Sequence, residues 1–170
     1  MTYIKTPRLT LAPFEGTDAE EYFKVISDDQ IRDYVFFASA ETLEQAKELV
    51  DTYTTCDCIN DFYLKIIDNK TSHIIGGLIA AKVSASTLDV SYFLNSHFVG
   101  NGYMTEVLKA FVAFITENTS FQSIEFQIRT DNVKSFAVAK SAGAKELQGV
   151  HPFKNIKVLK IDLKPYDVQL

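Results

Sequence analysis

The sequence is short of several residue patterns, and each shortage removes a class of function. It has two cysteines, Cys56 and Cys58, one residue apart. That gap is too tight for an ordinary disulfide between them, and a lone C-x-C without neighbouring His or further Cys is not a zinc site. Two thiols kept reduced in a cytosolic protein are the simplest reading. The three histidines, His73, His97 and His151, are scattered without ligand spacing, so no metal is assigned. Basic charge is not in excess: 17 Lys and Arg stand against 22 Asp and Glu, a net charge of −5. A nucleic-acid footprint needs clustered basic residues, so nucleic acid is not an expected partner, and the balance favours a cationic or neutral one. The opening Met1-Thr2-Tyr3-Ile4-Lys5 lacks the apolar core of a signal peptide, and no stretch approaches the roughly 18 apolar residues of a membrane span. The chain is expected to be soluble and cytoplasmic, with no membrane partner. No internal repeat, low-complexity run or Pro/Gly/Ser linker divides it, so one domain over residues 1–170 is the simplest organisation.

Hydrophobic residues make up 46% of the chain and charged residues 23%, which fits a globular protein and argues against disorder. Arg8 to Ala12 alternates polar and apolar and reads as a strand. Thr17-Asp18 is placed to cap a helix from about Ala19 to Ser27, and Glu41-Thr42 opens a second helix with Leu43, Ala46, Leu49, Val50 and Tyr53 at helical spacing. The aromatic stretch Ile31 to Phe37 between them is ambiguous. Three strands follow, Phe62 to Asp68, His73 to Val83 and Leu88 to Leu94, separated by turn residues. A strong helix from about Tyr103 to Glu117 buries Val107, Leu108, Phe111, Val112, Phe114 and Ile115. Ser123 to Arg129 is a strand, Val133 to Ala142 a short helix, and Ala144 to Gln148 and Ile156 to Leu163 two final strands. This order is a mixed α/β arrangement: an antiparallel meander, then a crossover through the Tyr103 helix to a parallel neighbour.

The segment Phe98-Val99-Gly100-Asn101-Gly102-Tyr103-Met104-Thr105-Glu106 carries the chemistry. A helix starts with about four amide hydrogens that lack partners, and its dipole places partial positive charge there. An anion satisfies both. Gly100 and Gly102 let backbone approach such an anion closely, so the amides of Val99 to Met104 are able to wrap a diphosphate. A P-loop would require Lys after the second glycine, where Tyr103 stands. A dinucleotide-binding loop would require a third glycine, where Thr105 stands. A tight strand-to-helix turn with no ligand stays open on these residues alone.

With its neighbours, the loop resembles the GNAT superfamily of N-acetyltransferases, and within it the branch that includes the Rim-type ribosomal-protein N-acetyltransferases. The resemblance runs in order through Thr6-Pro7-Arg8-Leu9-Thr10-Leu11-Ala12-Pro13-Phe14, Ile75-Gly76-Gly77, Asp89 to Leu94, Gly100 to Glu106, and Thr130 to Ser135 with Gly143. It implies a GNAT fold, a central mostly antiparallel sheet splayed at a cofactor cleft with helices on both faces. It implies an enzyme that moves an acetyl group from acetyl-CoA to a primary amine, on a protein N-terminus or a small molecule, as a monomer or homodimer. Backbone at Phe93, Leu94 and Asn95, after a bulge in the fourth strand, would pair with the pantetheine arm. Val99, Gly100, Asn101, Gly102, Tyr103, Met104 and Thr105 would hold the diphosphate, and Asn132 would contact the cofactor near its sulfur. Val99 and Met104 depart from the usual loop residues, and Ala139 stands near a position where many relatives carry a tyrosine proton donor.

Transfer to an amine needs an ionisable base for the ammonium, polarisation of the thioester, and an acid for a thiolate whose conjugate pKa is near 8.5. Ser135, one helical turn past Asn132, is the candidate acid. Asp89 is the candidate base, acting through water. A capping role for Asn132 and Ser135, and a solvated strand carboxylate for Asp89, are the plainer readings. Glu106 reads as structural. Tyr34, Phe36 and Phe37 are candidates for an acceptor pocket or for core. Two other functions compete with the enzyme: an acyl-CoA-binding module without turnover, and an interaction domain that uses Ile31 to Phe37.

Overall fold

The computed structural model describes residues 3–35, 38–55, 60–149 and 151–163; Phe36, Phe37, Cys56 and Cys58 lie outside them. In chain order the elements are β1 (Ile4–Lys5), β2 (Leu9–Pro13), α1 (Ala19–Ile26), α2 (Asp29–Tyr34), α3 (Leu43–Thr55), β3 (Phe62–Asp68), β4 (Ile74–Lys82), β5 (Thr87–Leu94), α4 (Tyr103–Asn118), β6 (Ser123–Arg129), α5 (Val133–Ser141), β7 (Lys145–Leu147) and β8 (Ile156–Asp162). The strands form one sheet in the order β1-β2-β3-β4-β5-β6-β8-β7. β5 and β6 are parallel and the other neighbouring pairs antiparallel. The meander β3-β4-β5 and the crossover through α4 follow the hydrophobic periods read from the sequence.

Helices cover both faces because alternate strand residues are apolar on each. On one face Leu88 and Val90 meet Val107, Leu108, Phe111 and Ile115 of α4, all buried. Each such side chain is worth about 1.5–3 kcal/mol on burial. Val112 and Phe114, expected in that buried stripe, are only partly buried against the same core. On the other face Phe93 packs with Tyr22 and Ile26 of α1 and Ala46 and Val50 of α3.

One ambiguity resolves and one expectation changes. The ambiguous stretch opens as a helix: Asp28 accepts the Gln30 amide at 2.9 Å and starts α2, which ends at Tyr34. Asp18 does not cap α1 with its side chain. Its carboxylate instead accepts the Glu15 amide at 2.7 Å and the buried Lys65 ammonium at 2.7 and 2.8 Å, tying the turn before α1 to β3. Among the described residues, no helix is long and apolar enough to cross a membrane.

Candidate active site

The site begins where two parallel strands part. β5 and β6 pair only at Thr87–Asp89 with Ser123–Glu125. Beyond that, β5 continues to Leu94 and β6 to Arg129 without pairing to each other. The rings of Tyr92 on β5 and Phe126 on β6 meet edge to face, 5.9 Å apart, against the core on the α4 face. Backbone of β5 along the opening therefore has no partner on the β6 side. β5 stays in unbroken register with β4 from Lys82↔Leu88 to Gly76↔Leu94, so the bulge expected near Phe93 is absent; the irregularity lies between Ile66 and Ile67, at the β3–β4 pairing. β4 and β5 approach closely near Phe93. A Cβ at Gly76 would stand 2.2 Å from the Phe93 carbonyl oxygen, so only glycine permits it.

Two cavities open from the parting. The larger, about 1070 Å³, runs past Phe93 and Leu94 to the head of α4 and along α5. The smaller, about 490 Å³, lies beside Asp89, Ser91, Gln127 and Arg129. Tyr34, Val35, Tyr92, Asn132 and Ser135 border both, so the cavities meet at these five residues.

At the head of α4, Gly100 and Gly102 have φ of 89° and 74°, left-handed values that favour glycine. The first amide of this helix end to find a backbone acceptor is that of Glu106, bonded to the Gly102 carbonyl at 3.1 Å. Among the described residues, the amides of Gly100, Asn101, Gly102, Tyr103, Met104 and Thr105 donate to no protein acceptor. Except for Asn101, those residues border the larger cavity. Met104 is 7% exposed and packs in the α4 core cluster, so its side chain occupies the core. The turn before the loop is fixed at its start: Asp28 accepts the Ser96 amide at 2.8 Å. Burial raises the Asp28 carboxyl, but the bonds from Ser96 and Gln30 outweigh it and hold it below its ordinary value.

Of the residues expected to contact a cofactor, Phe93, Leu94, Val99, Gly100, Gly102, Tyr103, Met104, Thr105 and Asn132 border the larger cavity; Asn95 and Asn101 do not. Asn95 accepts the His97 amide at 3.1 Å, and the Asn101 side chain donates to the Phe98 carbonyl at 3.3 Å, so both side chains brace the loop. Asn132 caps α5 by accepting the Ser135 amide at 3.2 Å while bordering both cavities. The Ser135 hydroxyl makes no hydrogen bond among the described residues, and its carbonyl accepts the Tyr92 phenol at 2.6 Å. Burial raises the pKa of that phenol. Ala139 is fully buried one turn beyond Ser135, and Tyr92 reaches α5 from the opposite side of the opening.

Asp89 borders the smaller cavity, and its Oδ1 is buried without a hydrogen-bond partner. Burial first, then the charge of Glu125, push its pKa up to about 6. Glu125 is its register partner on β6. Tyr34 borders both cavities, as expected of an acceptor-pocket residue. Sequence reasoning missed Gln127, Arg129 and Tyr92. The alternation of Ser123 to Arg129 was the available signal for the first two, since it places Glu125, Gln127 and Arg129 on the face of Asp89.

A sheet that opens at one parallel pair, with a helix end of unpartnered amides on the same cavity, is the arrangement that the resemblance to the GNAT acetyltransferases implied. Residues 8–145 match the family model described as Acetyltransferase (GNAT) domain. The chain belongs to the GNAT acetyltransferase family. A comparison with curated protein sequences gives no match. Solved structures show the same fold. A GNAT-family acetyltransferase from Bacillus anthracis superposes with a TM-score of 0.82 at 18% identity, covering 95% of this chain and 99% of that one. RimL, a ribosomal L7/L12 alpha-N-protein acetyltransferase in complex with coenzyme A, gives 0.82 at 14% identity, covering 95% and 98%. The Salmonella typhimurium acetyl transferase that modifies the N-terminal serine of 50S subunit protein L7/L12 gives 0.80 at 14%, covering 95% and 99%.

Proposed function

We propose that this acetyltransferase takes its acetyl group from acetyl-CoA in the larger cavity and delivers it to an α-amino group in the smaller one. The observation that carries the reading is the row of unpartnered amides at Gly100 and Gly102 to Thr105, bordering a cavity that meets a second one at Asn132 and Ser135. Those amides and the helix dipole suit a diphosphate. The β5 backbone at Phe93 and Leu94, paired to β4 but open on its β6 side, suits an extended amide-bearing arm. Acetyl-CoA supplies the activated thioester; the protein's part is to hold it, admit the amine and move two protons.

Asp89 takes the ammonium proton, directly or through water. With a pKa of about 6 it is mostly ionised at neutral pH. An α-ammonium has a pKa near 8, so transfer to Asp89 is uphill by about 2 units, or about 3 kcal/mol. A lysine ammonium near 10.4 would need about 6 kcal/mol. That difference favours a protein or peptide N-terminus over a lysine side chain, and it parallels the acceptor of the RimL and Salmonella typhimurium enzymes. Ser135, which borders both cavities, passes the second amine proton to the departing thiolate, giving its hydroxyl proton to the sulfur and regaining one from the new amide nitrogen. Holding donor and amine together supplies much of the rate, since effective molarity can be worth about 7–11 kcal/mol.

Thiol release from acetyl-CoA, measured across peptides with free N-termini, N-blocked lysine peptides and polyamines, tests the proposal. Turnover is expected with free N-termini and least with lysine. Binding of acetyl-CoA without thiol release for any amine would make the chain a binding module instead.

A further inference from the structure

The turn between β1 and β2 lies far in sequence from the cofactor loop, yet one of its side chains is bound to it. The Arg8 guanidinium donates from Nε to Glu106 Oε2 at 2.7 Å, brings Nη2 within 2.7 Å of the same oxygen, and donates from Nη1 to the Asn101 carbonyl at 2.9 Å. Its plane lies over the Tyr103 ring, 4.6 Å from the centroid. The other carboxylate oxygen of Glu106 accepts the Thr6 hydroxyl at 2.5 Å and the Arg8 amide at 3.1 Å. Arg8 borders neither cavity. From these contacts we infer that Arg8 is a positioning residue for the acyl donor: it presets the diphosphate loop without touching the ligand. The inference rests on the reading of that loop as the diphosphate seat.

Two physical effects support it. Asn101 sits between Gly100 and Gly102, the residues with the least intrinsic backbone restraint in the loop. A charged fork that fixes the Asn101 carbonyl and the first turn of α4 together removes freedom that a ligand would otherwise have to freeze. Glu106 also places a carboxylate one turn into the helix whose end is to receive an anion. Burial raises the Glu106 carboxyl, but the bonds from Thr6 and Arg8 prevail and keep it ionised below its ordinary pKa. Arg8 neutralises that charge, which otherwise opposes the helix end's attraction for a diphosphate. Lysine replaces it only in part, because a point charge keeps the neutralisation but lacks the planar fork that grips a carboxylate and a carbonyl at once.

Steady-state kinetics of Arg8→Ala and Arg8→Lys, each with acetyl-CoA and with S-acetyl-pantetheine, which lacks the diphosphate, test the inference. Arg8→Ala is expected to raise the KM for acetyl-CoA about tenfold, as for a lost charge-assisted restraint, with kcat and the amine KM within about twofold of the parent. Arg8→Lys is expected to fall between. With S-acetyl-pantetheine all three proteins are expected to match. An unchanged KM for acetyl-CoA overturns the inference, and so does an equal loss with both donors, which would mark general damage. If Arg8→Ala does not fold, Arg8→Lys gives the same split between donors. A parent enzyme that uses both donors equally well would instead overturn the diphosphate seat itself.

Discussion

Replacing Asp89 separates a working base from a solvated strand carboxylate. Its pKa rises from 3.8 to about 6, through burial and then through Glu125. If Asp89 accepts the ammonium proton, kcat/KM should rise with pH through about 6 as the carboxylate ionises, before the amine's own ionisation adds its effect. Glu125→Gln removes the second cause and should move that acid limb to lower pH. Asp89→Asn should abolish the limb and lower kcat/KM by about 10²–10⁴. Stability should respond in the opposite direction. The folded pKa lies above the unfolded one, so the stability linked to Asp89 is complete below about pH 4 and is lost as pH rises through about 6. Two units correspond to at most about 3 kcal/mol, and solvent reaching this partly exposed side chain reduces that to about 1–2 kcal/mol. Asp89→Asn should therefore gain about 2–8 °C in Tm relative to the parent at pH 8, with the difference closing at pH 4. The assays are thiol-release rates from pH 5 to 9 and thermal melts at both pH values. A flat profile across pH 6, or a fully active Asp89→Asn, would refute the assignment.

Ser135→Ala should lower kcat about tenfold to a hundredfold with the KM for acetyl-CoA unchanged, the pattern of a lost general acid, and single-turnover thiol release checks it. Lys65→Met leaves Asp18 buried with a charge and only the Glu15 amide to meet it. It should destabilise the fold by about 3–5 kcal/mol in urea denaturation. Tyr92→Phe loses the 2.6 Å bond to the Ser135 carbonyl. It should cost about 1 kcal/mol in the same assay.

Local signals made part of this architecture legible. The period of Val107, Leu108, Phe111 and Ile115 marks α4, and the glycines before Tyr103 mark its ligand-binding end, because helix period and left-handed backbone both leave their trace in nearby residues. α2 was obscured because Ile31 to Phe37 is rich in aromatic and β-branched residues and fits no single period, whereas the deciding group is the Asp28 cap. The second cavity left little trace: it joins Asp89 to Gln127, Arg129 and Asn155, which meet only once the sheet is assembled and opened. The Arg8–Glu106 contact spans 98 positions. A charge pair at that separation has no periodicity to betray it, so Glu106 could be read as structural without its partner being known.

Amide proton–nitrogen correlation spectra recorded during a titration with coenzyme A offer the most direct measurement. Gly100, Gly102, Tyr103, Met104 and Thr105 should show the largest downfield amide proton shifts, as N–H groups without protein acceptors gain phosphate oxygens. Shifts concentrated on other elements, with these five amides unmoved at saturation, would contradict the account.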